Sequence, residues 1–179
     1  MTQQQDPMAQ AVSYVRYQGS KSLAEIDALL ARTAADWERC LGGVTELQAE
    51  FAPQGQWCVK QVLGHFLATA GAVNKQVAGL AAGQPLEWQF SAAEEAGGGS
   101  ESRRDVPIEG LRQDVAAAFE ETRRMLASLK DNERLSQQFK HPLFGELSLK
   151  EWLAFQRIHS MDHIQQIEQI KAEPAYPGA

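Results

Sequence analysis

An all-α fold, built as a four-helix bundle, is predicted by three observations in this chain of 179 residues. Four segments carry apolar residues at steps of three and four, the spacing that gives a helix one buried stripe. Two Ser-x-x-Glu pairs, Ser22 with Glu25 and Ser148 with Glu151, stand just ahead of such stripes and read as capping boxes. No run long enough to predict a strand alternates with a period of two.

Residues 1–19 are expected to form a flexible N-terminal segment, ahead of one bundle spanning 20–172 and a short tail at 173–179. The first helix opens at Ser22, and its stripe is Leu23, Ile26, Leu30, Ala34, Trp37 and Leu41, ending at Gly42 and Gly43. The second begins near Trp57 or Cys58 and runs to Gly83, ahead of Pro85, with Val59, Val62, Leu63, Phe66, Ala70, Val73, Val77 and Leu80 apolar. Residues 84–107 break the pattern: Pro85, the Gly97-Gly98-Gly99-Ser100 run and Pro107 make a long irregular connection, expected to be mobile, functional or both. The third helix covers about Ile108 to Lys130, and after a short turn the fourth covers about Leu149 to Ala172. Four helices of this length suggest an antiparallel bundle, with room for a crossover between the second and third.

Composition narrows the functional classes. The hydrophobic share is 44% and the charged share 22%, ordinary for a globular chain, and the formal net charge is -6 with a pI near 5.2. A nucleic-acid surface needs a basic stripe, and none is present, so no nucleic-acid partner is expected. The basic doublets Arg103-Arg104 and Arg123-Arg124 have acidic neighbours and read as solvated faces. No apolar run reaches the roughly 18 residues of a membrane span, and the first residues lack the pattern of a signal peptide. The two cysteines, Cys40 and Cys58, form no paired motif, which fits a reduced protein. A cytoplasmic location and a small-molecule substrate are the expectation, with a homodimer allowed by the helix faces.

The histidines carry the chemistry. His159 and His163 are four residues apart on the fourth helix, in a stripe otherwise made of Trp152, Phe155, Ile167 and Ile170. That spacing puts their Cβ atoms roughly 6 Å apart on one face, close enough to share one ion. His65 lies beside the stripe of the second helix, three residues after Val62. Neutral imidazoles from two helices can converge on a metal; they can also be core histidines bonded to carbonyls and hydroxyls.

The ordered pieces Trp57-x-x-x-x-Val62-Leu63-Gly64-His65, His141-Pro142-x-x-Gly145-x-Leu147-Ser148-x-x-Glu151-Trp152 and His159-x-x-x-His163 resemble the DinB-like superfamily over about residues 20–172. That superfamily of four-helix bundles includes YfiT-like metal-dependent hydrolases and thiol-dependent S-transferases. The resemblance implies a divalent metal held by His65, His159 and His163, with Zn or Ni foremost and Fe or Mn as further options, and with free positions for water, substrate or a low-molecular-weight thiol cosubstrate. It also implies a departure at Cys58, where relatives often have a Ser or Thr helix cap. A non-catalytic metal-binding or stress-related bundle is the alternative.

Neighbouring residues are assigned around this set. Asp162 and Glu168 lie off the histidine stripe and are expected at the surface, which leaves no evident carboxylate base. Gln166, one residue from the stripe, could orient a ligand. Cys58 is expected to be a small buried residue, two turns from His65, and His141 a structural residue of a turn. Trp37, Trp57 and Trp152 read as core or interface fillers, and Trp88, in the irregular connection, as the exception that could serve as a substrate platform.

Overall fold

The computed structural model describes residues 6–85, 91, 97–130 and 132–178. Its elements are the helices α1 (Pro7–Gly19), α2 (Leu23–Leu41), α3 (Glu46–Glu50), α4 (Val59–Ala81) and α5 (Ile108–Ser128), a hairpin of β1 (Gln138–His141) and β2 (Gly145–Ser148), and α6 (Leu149–Lys171). The four long helices are those the periodicity predicts, and both predicted capping boxes form, at Ser22 and Ser148. Trp37, Phe66 and Phe119 meet at the centre, with ring centroids 4.7 and 5.8 Å apart along the series.

The pairing of helices departs from a simple antiparallel order. α2 and α4 each pack against both α5 and α6. On α4 and α5 residue numbers rise together: the buried Lys60 ammonium donates to the carbonyl of Arg104, just ahead of α5, and Asn74 donates to Thr122. α4 and α5 are therefore parallel. Conversely Asn74 meets Gln156 and His65 meets His159, so α4 and α6 are antiparallel. A parallel pair obliges the chain after α4 to travel back along a helix of 23 residues, roughly 34 Å at 1.5 Å per residue, before α5 can start. The long connection after α4 is that crossover. Its residues 86–90 and 92–96, Trp88 among them, lie outside the described residues.

Two other expectations are corrected, and the tail gains a described position. Residues Pro7–Gly19 are a helix rather than a flexible segment: Asp6 accepts from the Met8 amide at 3.0 Å, Pro7 starts the first turn, and the helix docks on α6 through the buried Val15 and Gly19. Strands do occur, as a hairpin with Phe139 opposite Leu147 and His141 opposite Gly145. Its inner residues Phe139 and His141 are buried, and Phe139 stacks on Trp152 at 4.3 Å while its carbonyl accepts from the indole N–H at 3.0 Å. The hairpin thereby fixes the start of α6. Finally the tail packs: Tyr176 is buried edge-on against Phe51, and the Gln48 amide donates to the Pro177 carbonyl at 2.8 Å.

The C-terminal end of α2 is closed by cations from the other helices. Lys171 donates to the carbonyl of Cys40, and Arg112 to those of Leu41, which also accepts from the Val44 amide, and of Val44 in the turn that follows, so both cations oppose the negative end of the helix. Among the described residues, no helix is long and apolar enough to cross a membrane.

Candidate metal centre

The α6 stripe is buried as predicted: Trp152, Phe155, His159, His163, Ile167 and Ile170 all face the interior, the two histidines at 7% and 6% exposure. His65, at 1%, faces them from α4. The His163 Nε2 lies 3.0 Å from the His159 Nε2, which in turn lies 3.3 Å from the His65 Nε2. A tetrahedral ion with nitrogen bonds of about 2.0–2.1 Å separates its ligands by roughly 3.3 Å, so these spacings fit one ion. The three sequence-predicted residues also form one group of potential metal donors, with ligand atoms within 4.8 Å of one another.

The outer ring nitrogens explain which way the lone pairs point. His65 Nδ1 sits 2.9 Å from the carbonyl oxygen of Gly98, which can only accept, so Nδ1 carries the proton and Nε2 is left with a lone pair. His163 Nδ1 is paired in the same way with Gln166 Oε1 at 3.1 Å. His159 is thus approached by two lone pairs. A single proton on its Nε2 could serve one of them, whereas a cation serves all three.

Charge on the rings themselves is disfavoured. Burial pushes His159 well below the usual histidine range, and the neighbouring His163 and His65 push it further. Burial likewise lowers His65 against the opposing bond to Gly98, and His163 against its bond to Gln166. The imidazoles are therefore neutral near pH 7, the form that binds metal.

Gly98 reaches His65 because residues 97–100 lie close against α4. Gly64, on α4, offers no Cβ beneath the Gly99 and Ser100 carbonyls. Gly99 takes a φ of 80°, open to glycine, and passes over Ala68, while Gly97 passes over the Trp57 ring. The contribution of this segment was not assigned from sequence, although the glycine run facing Gly64 is the signal that could have revealed it.

Asp162 is exposed, and Glu168 is exposed and paired with Lys171 at 2.8 Å, so neither joins the centre. Phe155 and Phe66 stack beside His159, at centroid distances of 5.4 and 6.0 Å, and close its inner side. Trp37 and Trp152 are core residues, whereas the half-buried Trp57 lies 5.4 Å from the His65 ring. Cys58 is fully buried; the α4 start is held by Gln61, whose amide oxygen accepts from the Cys58 N–H at 3.0 Å, while Arg104 donates to the thiol sulfur. Arg104 and Arg123 are half-buried rather than solvated, Arg123 holding Asp27 through two bonds of 2.8 and 3.0 Å. His141 is structural, its Nδ1 accepting from the amides of Leu143 and Phe144 at 3.1 and 3.3 Å.

With the geometry in place, comparison with known proteins decides the family. The model of the DinB superfamily matches residues 29–167, a span holding most of each of the four long helices and all three converging histidines. The chain belongs to the DinB superfamily. Among solved structures, this DinB-superfamily chain is similar to YfiT from Bacillus subtilis, described as a probable metal-dependent hydrolase with an unusual four-helix bundle topology. The two share 16% identity with a TM-score of 0.64, over 85% of this chain and 87% of that one, which establishes a common fold. No curated protein matches.

Proposed function

We propose that this protein is a divalent-metal-dependent enzyme that acts on a small molecule by activating water or a low-molecular-weight thiol, as a hydrolase or an S-transferase. The observation that carries the reading is the convergence of three histidine Nε2 atoms, two with lone pairs set by Nδ1 bonds, at separations suited to one ion. The description of YfiT as a probable metal-dependent hydrolase supports it.

Imidazole donors suit Zn, Ni and Fe, whereas Mn favours oxygen donors and is the weakest fit to three histidines. When bound, the ion supplies Lewis acidity, which lowers the pKa of a water or thiol that it binds. The chain's own residues set up that chemistry. Three neutral donors leave the charge of the cation undiminished, Gly98 and Gln166 fix two rings, and Phe66 and Phe155 keep water from the inner side of His159.

One observation favours a second reading, a metal-binding bundle without catalysis: among the described residues, no carboxylate joins the three histidines. A hydrolase commonly places a general base within hydrogen-bond reach of the attacking water, whereas a thiol nucleophile would be held by the ion as thiolate, its proton released to solvent. The test is to load the metal-free protein with Zn or Ni and assay ester and amide hydrolysis beside transfer of small thiols to electrophiles. Turnover that needs metal and is lost in His65→Ala supports the enzyme. Stoichiometric metal without turnover in either assay overturns it and leaves the binding protein.

A further inference from the structure

We infer that Gln166 is a positioning residue for the metal centre, its side-chain oxygen holding His163 in the tautomer that turns Nε2 toward His159 and His65. The inference rests on the metal-centre reading above. Two ring orientations and two tautomers are open to a neutral histidine, and the bond made by the outer nitrogen selects among them. For His65 the selecting group is the backbone carbonyl of Gly98, a group present whatever residue stands at position 98. For His163 it is one side-chain amide, three residues along the same helix and so on the same face, with Oε1 3.1 Å from Nδ1. Asp162, next in sequence, is exposed and acts on His163 only through its charge.

Gln166 is half-buried rather than part of the core, so shortening it lets water reach Nδ1 and leaves no large cavity. The ring is then free to flip or to exchange tautomers, and the ion loses a donor that was oriented in advance. A carboxylate at the same position would still accept the Nδ1 proton.

The test compares Zn affinity, by competition with a chromophoric chelator near neutral pH, for the natural protein, Gln166→Ala and Gln166→Glu. Nitrogen-15 spectra of the imidazoles are recorded on each metal-free protein. Gln166→Ala is expected to bind Zn about 10–100-fold more weakly, the usual effect of losing an outer-shell partner, with His163 moving from a pure Nδ1–H form to a mixture. Gln166→Glu is expected to restore both. Unchanged affinity and an unchanged His163 tautomer in Gln166→Ala would overturn the inference. If the natural protein takes up no Zn, the metal-centre reading itself has failed, and the tautomer spectra still decide what Gln166 does to His163.

Discussion

Gly64 on α4 lies directly beneath Gly99 of the returning crossover: a Cβ at position 64 would stand 2.9 Å from the Gly99 carbonyl oxygen and 2.8 Å from that of Ser100. This close approach brings the Gly98 carbonyl onto His65, one residue along α4 from Gly64. Two effects oppose each other in Gly64→Ala. Alanine favours a helix over glycine by about 1 kcal/mol. Displacing two backbone oxygens costs more, about 1–3 kcal/mol on the scale of overpacked sites. The expected outcome is a net loss of stability in urea unfolding together with weaker metal retention. A stabilised variant with unaltered metal binding would show that the crossover does not orient His65.

A buried polar chain crosses the bundle below the histidines. Gln156 donates to Asn74 at 2.9 Å, and Asn74 donates to Thr122 at 2.8 Å, joining α6, α4 and α5. Asn74→Leu leaves the Gln156 amide without its acceptor in the interior, a loss of about 1–3 kcal/mol. Replacing Gln156 by Leu as well removes the orphaned group, so the double variant is expected to recover part of that loss. Denaturant unfolding of the two single variants and the double variant checks this, and strictly additive losses would contradict it.

The hairpin gives the fold a dependence on acid. Burial pushes His141 down from its ordinary value of 6.5 to about 4. Its Nδ1 also accepts two backbone N–H groups, bonds that a proton there would break. The unfolded chain takes up a proton that the folded chain refuses. The contribution is therefore fully present above the unfolded value near 6.5 and is lost as pH falls toward about 4. The size is about 3 kcal/mol. In His141→Asn the amide oxygen can accept the same turn amides without titrating. The natural protein, measured free of metal, should lose stability relative to this variant across that window. Parallel pH profiles would contradict the assignment.

How much of this was legible in the sequence follows from which forces act locally. The α2 and α6 stripes and their Ser caps are repeated short-range signals, and they placed both helices closely. His159 and His163 were legible because two polar residues interrupt an otherwise apolar face. α1 was missed because it buries only Val15 and Gly19, so docking on α6 outweighs its own weak stripe, although Asp6 followed by Pro7 is a start signal. The hairpin was missed because each strand has only four residues, too few for an alternating pattern to stand out, and because its stability comes from Phe139 lying on Trp152. The parallel run of α4 and α5 depends on contacts far apart in sequence. The Gly98 carbonyl is a backbone atom, identical in every residue type, so only the glycines that let it approach could have marked it.

His65, His159 and His163 are proposed to hold one divalent ion. Elemental analysis of the untagged protein, beside a His159→Ala, His163→Ala double variant shown by circular dichroism to be folded, tests it most directly. About one metal ion per chain is expected, absent from the double variant. A natural protein that carries no metal and takes up neither added Zn nor added Ni would contradict it.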